Sequence, residues 1–298
     1  MINQSSYYLI GFASGLAGVA ASAGDGPIVI QQSQYLANII NRGIEIKWHD
    51  MIKPPIVTTQ SLKDVLKLEC TTLATAVSHL VGKKQQLCVV GGDHAAALGT
   101  WSGVYHSIHE QGDLGLIWVD AHMDSHTPET SESGRIHGMP LACLLGYGYS
   151  EFTTILDEKP KVKPENICLI GVRSYEAGEA EFLKRLGVRI YFMDEIKQRG
   201  FNIIWAEAVA LVSKNTFGYG VSIDVDAFDP SIAPGVDVPE PDGLFLDDFL
   251  PALSTITNDP KLLATEIVEL DPSRDQQTIT EKLVVAILEV LAKPVSSS

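Results

Sequence analysis

Cysteine is scarce in this chain, and what there is lacks the spacing that cysteine chemistry needs. Cys70, Cys88, Cys143 and Cys168 form no CxxC pair and fit neither a zinc knuckle nor a disulfide framework. Three of them sit inside apolar runs (QLCVV, LACLL, NICLI), where a buried free thiol is the expectation, and with it a reducing, cytoplasmic setting. Basic residues are in deficit too: 22 Lys and Arg against 37 Asp and Glu leave a formal net charge of −15. Such a surface repels nucleic acid and anionic membranes, so neither is an expected partner. No uninterrupted apolar run reaches the roughly 18 residues that a membrane span requires. The stretch Met1–Gln32 has no basic n-region and reads as a strand followed by a glycine-rich loop, not as a signal peptide. The Gly91-Gly92 pair lacks the GK[ST] of a P-loop and the GxGxxG of a dinucleotide loop, which leaves nucleotide binding without support.

What is present is an ordinary globular balance, 45% hydrophobic and 20% charged over 298 residues. Short β-rich apolar runs fall at 7–13, 44–48, 86–92, 114–122, 167–173, 189–193, 219–226 and 264–270. Helical spacing fills the intervals at 27–40, 61–82, 95–109, 136–146, 178–187, 202–214, 246–257 and 278–292. Pro27 suits a first helical position, and Thr278 followed by Glu281 reads as a capping box. Strands alternating with helices predict a parallel sheet covered on both faces. No linker or repeat divides the chain, so residues 1–298 read as one domain, with only Pro294–Ser298 as a loose tail.

The charged residues that follow apolar runs carry the chemistry. Asp120-Ala121-His122-Met123-Asp124 ends the run LGLIWV, Asp224-Val225-Asp226 ends another strand, and His94 follows Gly91-Gly92-Asp93 at a third. In an extended chain, alternate residues point to one side, so each motif presents its ligands together. Strand C-terminal ends are also where α/β sheets place ligand sites. Four aspartates and two histidines are too many for one structural zinc. Mixed carboxylate and imidazole ligation suits Mn²⁺ or a similar ion, and these ligand types do not separate it from Ni²⁺ or Co²⁺. Shared carboxylates would set two ions about 3.5 Å apart and acidify a bridging water toward hydroxide near neutral pH. Asp93 reads as orienting the site, Asp229 before Pro230 as a chain turn, and Arg173 as a structural salt bridge. His49, His79, His106 and His109 lack partner motifs and read as surface or core histidines.

The GGDH, DAHMD and SIDVDAFDP motifs, in this order, resemble the metal signatures of the arginase/agmatinase (ureohydrolase) superfamily, and the matching pattern runs from about Gly11 to Leu291. The resemblance implies a three-layer α/β/α fold with a mostly parallel, eight-stranded sheet and a pair of manganese ions. One would be held by His94, Asp120, Asp124 and Asp224, the other by Asp120, His122, Asp224 and Asp226. The loop from His126 to Pro140 carries the TP, T, SG and HG landmarks of arginases. It implies hydrolysis of L-arginine to L-ornithine and urea by metal-bridging hydroxide, and assembly as a homotrimer or homohexamer. By the same resemblance His137 is the proton shuttle, Glu269 pairs with the guanidinium, Ser133 contacts the α-carboxylate, and Asp124 hydrogen-bonds the nucleophile as well as ligating metal.

The chain departs from the arginase pattern at the tail of that substrate. His126 stands where arginases carry Asn, Glu176 where they carry an Asp that holds the α-amino group, and Arg135 where they carry a small polar residue. Val236-Asp237-Val238-Pro239 replaces Thr-Gly-Thr-Pro, so Val238 removes a hydroxyl near the guanidinium. These changes keep alternatives open: another ureohydrolase acting on agmatine, guanidinobutyrate, guanidine or formimidoylglutamate, or a metal-binding homologue without catalysis.

Overall fold

A computed structural model describes residues 6–55 and 60–293; the tail from Pro294 lies outside them. Among the described residues, eight strands form one sheet: β1 (Tyr7–Phe12), β2 (Ile46–Ile52), β3 (Leu87–Gly91), β4 (Leu114–Val119), β5 (Ile167–Val172), β6 (Arg189–Phe192), β7 (Gly218–Asp224) and β8 (Leu262–Val268). The spatial order is β2-β1-β3-β8-β7-β4-β5-β6, and every pairing is parallel. Where the resemblance implies a mostly parallel sheet, the sheet is wholly so.

Both faces are covered, and the strand pattern shows how. Along β4, Ile117 and Val119 enter one core, while Leu116 and Trp118 enter the other. The first core is closed by helices Gly26–Gln32, Phe201–Ser213, Leu246–Ser254 and Ile279–Ala292. The second is closed chiefly by Leu62–Gly82 and Ala96–Ile108. These last two helices approach closely because Gly103 has no side chain; a Cβ there would meet the carbonyl oxygen of Ala74 at 2.3 Å.

Several boundaries differ from the sequence reading. The helix expected over 27–40 is two helices, Gly26–Gln32 and Gln34–Asn41, because Ser33 is extended and its hydroxyl caps the second by accepting from the Tyr35 and Leu36 amides. The strand expected at 44–48 begins later, at Ile46, and runs on to Ile52. A helix over Met193–Arg199 follows β6 directly, without a spacer to announce it. Thr278 forms no capping box: its φ is +54° and its side chain caps nothing. Asp275 does that work instead, accepting from the Thr280 and Glu281 amides. A capping box does form at Glu176 and Glu179, opening helix Ala177–Leu186.

The chain builds β1 and β3, jumps to β4, and returns late to fill the gap with β7 and β8. The strand order therefore reverses at the centre of the sheet, where parallel sheets open a crevice at their C-terminal ends. The four neighbours β3, β8, β7 and β4 end there.

Candidate metal centre

His94 follows β3 and lies just before helix Ala96–Ile108, fully buried. Its Nδ1 faces three carboxylate oxygens: Asp124 at 3.0 Å, Asp224 at 3.1 Å and Asp120 at 3.3 Å. None of them completes a hydrogen bond with it. A buried imidazole nitrogen aimed without a hydrogen bond at a knot of acidic oxygens has the form of a ligand whose partner is a cation. His122 Nδ1 in turn lies 3.0 Å from Asp226 and 3.5 Å from Asp120. The ligand atoms fall into two groups, His94 with Asp120, Asp124 and Asp224, and His122 with Asp120 and Asp226. Asp120 belongs to both, as a shared carboxylate between two ions requires. All six residues singled out in the sequence thus converge.

Electrostatics support the same fit. Burial raises Asp224 well above the usual carboxylate range, and Asp226 and Asp120 push it further. Asp226 is lifted to about 6, again chiefly by burial. Carboxylates crowded out of water in this way carry a charge penalty that divalent cations remove. Carboxylate oxygen and imidazole nitrogen together are donors for ions such as Mn²⁺, Ni²⁺, Co²⁺ or Zn²⁺.

The local geometry differs from strand alternation. β4 ends at Val119 and β7 at Asp224, so the ligands beyond those points lie in turns. Asp120 Oδ1 accepts from the His122 amide at 2.7 Å, and Asp224 Oδ1 accepts from the Asp226 amide at 2.8 Å. Each D-x-H or D-x-D motif is therefore a tight turn closed by its own first aspartate. Asp124 completes its motif with φ +45°, a left-handed conformation held by the surrounding fold. Nor are the three motif strands all neighbours: β8 lies between β3 and β7, and it delivers Glu269.

Glu269 sits just past β8 with φ +68°. Its amide donates to the Gly92 carbonyl at 2.7 Å, and its Oε1 accepts from the His94 amide at 2.8 Å. The same oxygen lies 3.2 Å from His137 Nδ1. Burial by itself would lower His137, but the hydrogen bond and charge of Glu269 override it and hold the imidazole at about 9. His137 stands on a single turn, Ile136–Gly138, anchored by its amide on the Ala17 carbonyl.

These groups floor a cavity of about 310 Å³ whose walls include Ser133, Val238, His126 and Glu176. At the mouth, His126 Nε2 is 2.8 Å from Glu176 and its Nδ1 is 3.2 Å from the Thr130 hydroxyl. Arg135 lines the same rim.

Residues around the six ligands complete the site. Trp118 donates its indole N–H to Asp120 at 2.8 Å and stacks on the His94 ring at 4.2 Å between centroids. Ser222 lies 3.0 Å from His94 Nε2 and donates to the buried Glu266 at 2.6 Å. Sequence reasoning passed over Trp118 and Glu266, although Trp118 lies two residues before Asp120 on β4 and Glu266 three before Glu269 on β8. Asp93 accepts from the Ala17, Gly18 and Ala95 amides and so orients the loops around the centre. Asp229 accepts from the Ser231, Asp242 and Gly243 amides, the expected turn. Arg173 is structural but makes no salt bridge among the described residues; its guanidinium donates to backbone carbonyls, among them Asp226, Ala227 and Glu240.

Comparison with known proteins agrees with this geometry. The family model described as "Arginase family" matches residues 6–292. An arginase of Bacillus caldovelox is 40% identical over 216 residues, covering 72% of this chain and 71% of the relative. The crystal structure of arginase from Bacillus subtilis superposes with a TM-score of 0.88 at 30% identity, over 97% of this chain and 99% of that one. The Entamoeba histolytica arginase, solved in complex with L-ornithine, does so with a TM-score of 0.85 at 26% identity, over 96% and 98%. With its motifs, sheet topology and matched length all in agreement, the chain belongs to the Arginase family.

Proposed function

We propose that this protein hydrolyses L-arginine to L-ornithine and urea with two Mn²⁺ ions. The observation that carries the reading is the convergence of His94, Asp120, His122, Asp124, Asp224 and Asp226 beneath a pocket that also holds Glu269 and His137. The relatives named arginase, one of them bound to L-ornithine, support the substrate. His94, Asp120, Asp124 and Asp224 would hold one ion, and His122 and Asp226, with Asp120 and Asp224 shared, the other. When bound, the metals supply acidification of water near neutral pH, and with it the nucleophile.

The chain's own residues do the rest. Glu269, held by the His94 amide, offers a carboxylate to the planar guanidinium and orients its carbon over the cluster. Asp124, raised above the usual carboxylate range chiefly by burial, accepts a hydrogen bond from the attacking water. His137 carries a proton at neutral pH and passes it to the leaving amine. Ser133, His126 and Glu176 at the mouth would meet the amino-acid end of the substrate, and Val238 packs beside its chain.

One observation favours a second reading. Glu176 is already engaged by His126, where an amino-acid tail would need free readers. A different guanidino or formimino compound would require less of that rim. The test is urea release by Mn²⁺-loaded protein from L-arginine, agmatine, guanidinobutyrate and guanidine, with an ammonia or formamide assay for formimidoylglutamate. Dominant turnover of L-arginine supports the first reading; dominance of another compound moves the substrate and keeps the chemistry.

We further propose cytoplasmic residence and assembly as a homotrimer or homohexamer. Four buried, unpaired thiols support the former, and the family resemblance supports the latter. Among the described residues, no helix is long and apolar enough to cross a membrane.

A further inference from the structure

Helix Ala96–Ile108 begins beside the buried centre and ends at a second group of metal-ligating side chains. His106 and His109 lie one turn apart at its C-terminal end, and Asp157 reaches them from a loop 51 residues away from His106. Each offers one ligand atom, all within 4.8 Å of one another. His106 Nδ1 is 2.9 Å from the Asp157 carboxylate. His109 Nδ1 is 3.0 Å from the His106 carbonyl. Only an N–H can serve a carbonyl, so the neutral His109 ring carries its proton on Nδ1 and keeps the Nε2 lone pair free. Metal-binding histidines are held in this way, with the second nitrogen donating to a carbonyl.

The opposite side of the group is also fixed. Lys161 is 2% exposed and its ammonium donates to the carbonyls of Thr153 at 2.9 Å, Asp157 at 2.5 Å and Lys159 at 2.8 Å. This clamp holds the backbone of Asp157 itself, so a rigid helix end faces a pinned loop. The C-terminal end of a helix also carries partial negative charge, which favours a cation.

We propose that His106, His109 and Asp157 form a mononuclear site for a borderline transition ion such as Zn²⁺, separate from the buried cluster. Two imidazoles and one carboxylate select such an ion over Mg²⁺ or Ca²⁺. Solvent exposure of His106 leaves a position for water. The helix between the two sites is roughly 20 Å long at its ordinary rise, so the outer site can fill without disturbing the inner one. The proposal does not depend on the reaction that the inner site performs.

The test is metal content per chain after the metal-loaded protein is dialysed against micromolar free Zn²⁺, alongside the His106 and His109 ring resonances in NMR. Wild type is expected to hold one more ion than His109→Gln or His106→Ala, with both ring signals shifting on Zn²⁺ addition. Urea release should be the same in all three. Equal metal content in wild type and variants, or ring signals that move only at millimolar Zn²⁺, overturns the proposal.

Discussion

Trp118 joins the hydrophobic core to the metal centre, because its ring stacks on His94 while its N–H holds Asp120. Replacing it with Phe keeps most of the packing and removes only the donor. Loss of such a supporting contact typically weakens metal binding by about 10–100-fold, so Trp118→Phe should retain its fold and lose Mn²⁺ at lower chelator concentration; metal content during chelator titration measures this. His137→Ala should leave metal content intact and reduce turnover by about 10²–10⁴-fold, the usual range for a lost acid–base group; full activity in that variant would remove His137 from the proton path. Glu69 tests burial away from the ligands. It is buried, accepts among the described residues only from the Ser14 hydroxyl, and burial pushes it up to about 7. The folded chain then keeps a proton that the unfolded chain releases above about 4.5, its ordinary value. Stability from this group is present at low pH and is lost as pH rises toward 7. Glu69→Gln should therefore raise the Tm more at pH 8 than at pH 5, as read by thermal melts at both.

Individual elements were legible where one force dominated and hidden where several competed. The apolar runs marked the central strands throughout, since a buried parallel strand is apolar on both faces, and caught the edge strand β2 only at its start, because Lys47, His49 and Asp50 face outward on it. The metal motifs were legible because charge placed directly after such a run has few structural explanations. Alternation along the chain was the wrong geometry for them, however: β4 and β7 stop before the last ligands, and the turns are made by Asp120 and Asp224. The break at Ser33 was invisible because apolar spacing continues across it, and the cap at Asp275 lost to the more familiar pattern at Thr278. The His126–Glu176 contact and the group around Asp157 depend on residues about fifty positions apart, which no local pattern reports. Close packing of Leu62–Gly82 on Ala96–Ile108 gives an element-scale prediction. Gly103→Ala should destabilise by about 1–3 kcal/mol, the cost of an overpacked contact, measured by urea unfolding of the metal-loaded protein.

For the molecule as a whole, the buried carboxylates are the feature that costs stability until cations arrive. Asp120, Asp124, Asp224 and Asp226 are all buried at one crevice, and β3, β8, β7 and β4 all end there. Metal binding is thereby coupled to folding of the centre of the sheet. At metal concentrations near a thousand times Kd, one ion adds about 4 kcal/mol of stability, so chelation should lower the Tm by several degrees and Mn²⁺ should restore it. The measurement that tests the central claim most directly combines metal content with urea release from L-arginine, in wild type and Asp120→Ala. The account predicts two Mn²⁺ and steady turnover in wild type, with loss of both in the variant. Full metal loading and undiminished turnover in Asp120→Ala would contradict it.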